Sequence, residues 1–185
     1  MKSYILFLWR LFDPIYYACT RLRRTENSVF RVRLTRYKGK PILLSDGCTI
    51  TKNDLLIKIH LHNVRIFKEL YHVKNELRKT RLLYREVEQS LPSLAAYIRR
   101  HRKNEEIKGV IGITMIDRAC TRLGFERTDI SSRIYKRIKQ LTQLPIYFIT
   151  APAPSFKQLK KQQPNYLFMS KDFLLNTYGR EIGEP

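Results

Sequence analysis

The clearest pattern in the chain is a strict alternation over residues 55–62, with Leu55, Ile57, Ile59 and Leu61 on one side and Leu56, Lys58, His60 and His62 on the other. A period of two marks a half-buried β-strand. The same period runs through 29–37, where Phe30, Val32 and Leu34 alternate with Arg31, Arg33 and Thr35. Between the two segments, Lys38-Gly39-Lys40-Pro41 reads as a turn. Apolar runs at 42–44 and 48–51 then flank Ser45-Asp46-Gly47, and Asp-Gly in that position is a hairpin signal. Lys52-Asn53-Asp54 supplies one more turn. The expectation for this stretch is an antiparallel β-meander.

From Asn63 the period lengthens. Ile66, Leu70, Val73, Leu77, Tyr84 and Val87 recur at helical spacing as far as Ser90, with Arg65, Lys68, Lys74, Arg78, Arg81 and Arg85 among them. The spacing predicts a long amphipathic helix whose first turn is capped by Asn63. Pro92 stands where a second helix would begin, and that helix ends in Arg99-Arg100-His101-Arg102-Lys103. Residues 107–115 read as a buried strand in which Gly109 and Gly112 admit close backbone approach. A helix over 116–123 is stopped by Gly124 and followed by an extended piece at 125–128. Asp129 or Ser131 caps a helix reaching Gln143, and a strand at 146–150 follows Pro145. Ala151-Pro152-Ala153-Pro154 is a linker, 165–169 a last strand, and Ser170 the cap of a terminal helix ending at Gly179.

Antiparallel strands first and alternating elements later predict an α+β fold: an N-terminal antiparallel β-meander, a long central amphipathic helix and a C-terminal alternating β/α portion. Three segments follow: an aromatic-rich helix and basic linker at 1–27, the meander and its helices at 28–104, and the alternating lobe at 105–185, together forming one compact domain. In the first segment the apolar run is interrupted by Arg10, Asp13 and Pro14, so neither a membrane span nor a secretion signal is expected. Its aromatics beside Arg21, Arg23 and Arg24 suit either a helix packed on the sheet or one lying in an anionic membrane interface.

Charge changes the picture more than composition does. The 185 residues carry 36 Lys plus Arg against 16 Asp plus Glu, a net charge of +20. With 43% hydrophobic residues the chain has a core to bury, which excludes a disordered basic tail. A protein so basic attracts any polyanion, but no helix-turn-helix, zinc-finger or aromatic RNP pattern turns that attraction into nucleic-acid recognition, so binding of this kind is expected to be non-specific. Cys19, Cys48 and Cys120 form no close pair and read as buried thiols in a reducing cytoplasm. No cofactor and no metal are expected.

The chemistry gathers on the polar side of the clearest strand. His60 and His62 lie two apart and share a face with Lys58, and if 29–37 is the neighbouring strand then Arg31 and Arg33 join them. Such a face accepts phosphate or carboxylate. The bland alternative is the water-facing side of an antiparallel sheet, polar by default. A metal site would need further ligands, and only His72 and His101 remain among the histidines, at no recognisable spacing. Asp46 and Asp54 are explained as turn residues. No nucleophile elbow or phosphate-binding glycine loop occurs.

Three stretches together resemble the YkoP-like domain of bacilli and related Firmicutes: Asp13-Pro14-Ile15-Tyr16-Tyr17; Asp46-Gly47-Cys48-Thr49-Ile50 continuing through Asp54 to Ile59-His60-Leu61-His62-Asn63; and 109–114 followed by Leu123-Gly124-Phe125. Relatives are expected to carry Gly-Asp before the histidine strand, where this chain has Asn53-Asp54, and Asn tolerates the left-handed backbone such a turn needs. The resemblance implies a bacterial setting, envelope-linked because some similar domains accompany polysaccharide-deacetylase-like modules. It supplies no catalytic residue. Ala119-Cys120-Thr121-Arg122-Leu123-Gly124-Phe125 also resembles the end of a GNAT acetyltransferase, without that family's cofactor loop.

The leading expectation is a cytoplasmic, non-catalytic or accessory protein that engages an anionic partner, peripherally at the inner membrane face, through Arg31, Arg33, Lys58, His60, His62 and Asn63. The rival is a transferase or hydrolase on a phosphorylated, acylated or sugar substrate, with His60 or His62 as general base and a GNAT-like acyltransferase as a variant.

Overall fold

The two alternating segments become neighbouring strands of one six-stranded sheet. The computed structural model describes residues 23–24, 28–61, 66, 73, 75–114, 118–130, 132, 134–139 and 163–179. In chain order these form β1 (Arg23–Arg24), β2 (Phe30–Arg36), β3 (Ile42–Leu43), β4 (Thr49–Ile50), β5 (Leu55–Leu61), α1 (Glu76–Arg99), β6 (Ile107–Thr114), α2 (Arg118–Thr121), β7 (Glu126–Asp129), β8 (Asn165–Ser170) and α3 (Lys171–Tyr178). Residues 134–139 are helical as well. The sheet order is β1-β2-β5-β6-β8-β7, and β3 with β4 forms a separate two-stranded ribbon. Every pairing is antiparallel except β5 with β6. A parallel pair cannot be joined by a tight turn, and the chain between β5 and β6 accordingly includes α1. The fold is α+β.

Alternation gives each strand one side for each layer. On the first face of the sheet, Phe30, Val32, Ile57, Val110, Leu167 and Met169 pack with Val87, Leu91, Leu94, Ala95 and Ile98 of α1 and Leu174 of α3. Burying side chains of this size stabilises the fold by about 1.5–3 kcal/mol each before conformational entropy is counted. On the second face a smaller cluster joins Leu56, Ile111 and Phe168 of the sheet to Tyr37, Leu44 and Ile50, so the β3–β4 ribbon covers part of that face. The two glycines of β6 permit close approach: a Cβ at Gly109 would run into the Met169 carbonyl oxygen, and one at Gly112 would lie 3.3 Å from Ile59 Cγ1.

Several elements differ from the sequence reading. The long helix begins at Glu76, capped by the Asn75 side chain accepting from the Arg78 N–H at 3.1 Å, and Val73 is not helical. Asn63, the expected cap, lies outside the described residues. Pro92 does not open a new helix; it sits inside α1. An internal proline costs about 3 kcal/mol in an exposed helix. Here Leu91, Leu94, Ala95 and Ile98 anchor both flanks of it in the core, and that burial offsets the lost backbone bond. Ser132 supplies the cap assigned to Asp129 or Ser131, accepting from Tyr135 N–H at 3.3 Å. Arg23 and Arg24, read as linker, pair with Val32 and Arg31 as an edge strand. Cys48 and Cys120 are half-buried rather than buried. The N-terminal aromatics, the strand at 146–150 and the linker at 151–154 lie outside the described residues.

Ser170 ties the second face together. Its Oγ accepts from Phe173 N–H at 2.9 Å, capping α3, and donates to Asp46 Oδ2 in the ribbon turn. Asp46 Oδ1 accepts in turn from Cys48 N–H at 3.0 Å. Ser170→Ala removes a cap and leaves the carboxylate short of a donor, so we expect a loss of about 2 kcal/mol in urea unfolding. A loss under about 0.5 kcal/mol, the scatter of an ordinary surface substitution, would show that the serine carries neither load.

Candidate functional site

The antiparallel register of β2 on β5 sets Arg31 opposite His60, Arg33 opposite Lys58 and Thr35 opposite Leu56. Residues directly opposite in such a pair share a face, with Cβ atoms about 5 Å apart. The alternation that sends Phe30, Val32, Ile57 and Ile59 toward α1 therefore places Arg31, Arg33, Lys58 and His60 together on the second face. Lys58 is 8% exposed. Burial first, then the charges of Lys139 and Arg33, push its ammonium down to about 8. Burial also pushes the His60 imidazole down to about 3, aided by Lys58, Arg33, Lys139 and Arg31.

Lys139 arrives from a third element. The helical segment 134–139 meets the second face through Tyr135, whose ring stacks on Tyr166 of β8 with centroids 6.4 Å apart and planes at 24°. Lys139 Nζ stands 5.3 Å from the Tyr135 ring centroid, a cation–π distance. Burial lowers the Lys139 pKa, and Arg33 lowers it further. Tyr166 is pushed up to about 12 by burial, by Tyr135 and Tyr37, and by a side-chain hydrogen bond with Tyr135. The aromatic pair thus positions the lysine that completes the cationic group.

These groups repel one another, and the fold holds them in place. Arg33 Nε is buried and makes no hydrogen bond among the described residues. A buried donor left in that state costs about 1–3 kcal/mol, more for a charged group. Such an arrangement attracts an anion and repels a metal cation. Among the described residues no group of three or more His, Cys, Asp or Glu is placed to hold a metal. His60 stays neutral far below neutral pH, and so weak a base is poorly matched to removing a proton at pH 7.

Of the residues singled out from sequence, Arg31, Arg33, Lys58 and His60 come together, while His62 and Asn63 lie outside the described residues. Lys139 and the Tyr135–Tyr166 pair were missed. Lys139 lies in a segment already read as helix, but nothing local in the sequence says which strand that helix covers. No helix among the described residues is long and apolar enough to cross a membrane.

The model of the YkoP domain family matches residues 2–178. A protein of Bacillus subtilis (strain 168) that carries the name "Uncharacterized protein YkoP" is 44% identical over 184 residues, spanning 98% of this chain and 100% of its own length. No solved structure matches the chain.

Because the Lys58 pKa is lower folded than unfolded, its charge opposes folding below pH 8, and the penalty fades as pH rises from 8 toward 10.5. Lys58→Met keeps the length of the side chain without the charge. We expect it to stabilise the ligand-free protein by about 1–3 kcal/mol at pH 7. In paired denaturation curves the advantage should shrink between pH 8 and 10; a variant less stable at pH 7 would refute the electrostatic account.

Proposed function

The chain belongs to the YkoP domain family, and from the geometry of its cationic sheet face we propose that it is a non-catalytic or accessory binding module that holds an anionic partner on β2 and β5. One observation carries this reading: Arg33 and Lys58 stand directly opposite each other in register, on a face where Lys58 is almost wholly buried. Like charges in that relation destabilise a sheet. Natural sequences accept such local conflicts mainly where function requires them. An anion between the two converts repulsion into two charge-assisted contacts.

Burial separates this reading from a solvated polar face. On a water-facing sheet a lysine keeps its ordinary basicity, whereas Lys58 is depressed first by desolvation. It also weighs against His60 as the general base of the hydrolase or transferase alternative, since burial first and then the neighbouring cations leave its imidazole too weak a base to take a proton near pH 7. The segment 134–139 brings Lys139 against the same face, which suits a small or protruding anionic group better than a flat surface or a duplex.

Titration calorimetry with tripolyphosphate at about 0.15 M salt, where the Debye length has fallen to about 8 Å, separates a site from diffuse charge. The Arg33→Met/Lys58→Met double variant should bind about tenfold more weakly or worse than wild type. Equal binding would assign the attraction to the remaining basic surface and remove the basis of this reading.

A further inference from the structure

We propose that the anionic group taken at this face is a dianionic phosphomonoester, seated among Arg33, Lys58 and Lys139, in preference to a phosphodiester or a carboxylate. This rests on the anion-binding reading above and names its ligand class.

The charge count comes first. Arg33 and Lys58 are one opposed pair of full charges from adjacent strands. With Lys139 counted beside them, a monoanion leaves two positive charges uncompensated where water is largely excluded, and a dianion leaves one. A phosphomonoester carries about two negative charges at neutral pH, a diester or carboxylate one.

The number of donor-bearing elements is the second consideration. Three elements deliver cations to one place: β2 with Arg33, β5 with Lys58, and the helical segment 134–139 with Lys139. A monoester presents three terminal oxygens, one for each element. A diester has only two unsubstituted oxygens, and its second substituent must pass one of the three cations. Arg33 also has its buried Nε available for such an oxygen, and a guanidinium pairs with phosphate more specifically than an ammonium does. His60, opposite Arg31, contributes a neutral ring beside the charges.

The pH behaviour of binding follows from the groups around Lys58. Among the described residues these are Arg33 and Arg31 from β2, His60 from its own strand, Lys139 from the helical segment and the apolar Ile111 from β6. His60 remains neutral from pH 5 to 9. The changes in that window are the second ionisation of the ester, at about pH 6, and the loss of the Lys58 proton above about 8. Affinity should therefore rise through pH 6 and decline above pH 8.

Titration calorimetry on the full chain with methyl phosphate and dimethyl phosphate, at matched ionic strength, tests the class. At pH 7.5 we expect methyl phosphate to bind about tenfold more tightly or better, the worth of one charged hydrogen bond. That preference should narrow at pH 5. Lys139→Met, on a half-buried helical position, should weaken methyl phosphate about fivefold to tenfold while leaving the circular dichroism spectrum unchanged. Equal affinity for the two esters, or a Lys139→Met protein that binds methyl phosphate as wild type does, would overturn the proposal. If neither ester binds while tripolyphosphate still requires Arg33 and Lys58, the ligand class is wrong and the anion site stands. If tripolyphosphate does not require them either, the anion site itself is lost.

Discussion

The register of β2 against β5 is the constraint on which both layers of the molecule depend. In that register Val32 faces Ile59 and Leu34 faces Ile57 beneath α1, while Arg33 and Lys58 oppose each other on the far side. A slip of one residue would drive Arg31 and Arg33 into the main core and turn Phe30 and Val32 toward the second face. The loop between the strands holds the alignment: Tyr37 N–H donates to Asp54 O at 2.9 Å, Asn53 N–H to Tyr37 O at 2.8 Å, and Arg36 Nη1 to Asn53 O at 3.0 Å. Asn53 makes that closure with φ at 74°, a left-handed conformation that asparagine tolerates better than most residues.

The two faces of the sheet carry different loads. The first is apolar along its length and supplies most of the burial. The second is divided, with the β3–β4 ribbon sealing Leu56, Ile111 and Phe168 at one end and the cations occupying the other. Both regions use the same strands, so Leu56 and Lys58, two residues apart on β5, serve packing and charge respectively. The Tyr135–Tyr166 stack joins them, since Tyr166 also lies 5.7 Å from Phe168 by ring centroid. Stability gained in the apolar end thereby holds charged groups together in the polar end.

Local pattern made much of this legible. Strict alternation identifies β2 and β5, and with the two strands paired it also groups Arg31, Arg33, Lys58 and His60 on one face. Asp46-Gly47 gave the ribbon, Ser170 and Gly179 gave both ends of α3, and the departure at Asn53 pointed to its left-handed turn. What escaped depended on distant partners. Pro92 reads as a helix start until the residues that hold α1 on either side of it are known. The cap of that helix was placed at Asn63 because the apolar period runs on without a break, although the chain is not helical at Val73. Lys139 is one basic residue in a basic helix, and only the stacking of Tyr135 on Tyr166 of β8 assigns that helix to the second face.

The parallel pairing of β5 with β6 has a consequence for the order in which the molecule is made. During synthesis β2, the ribbon and β5 can assemble as soon as they emerge, because their contacts are antiparallel and near in sequence. The other edge of β5 has no partner until β6, which follows the whole of α1, has been added. Through that interval the nascent chain presents an open strand edge bearing Lys58. The positive charge on that edge discourages pairing with a second nascent copy until its own β6 arrives.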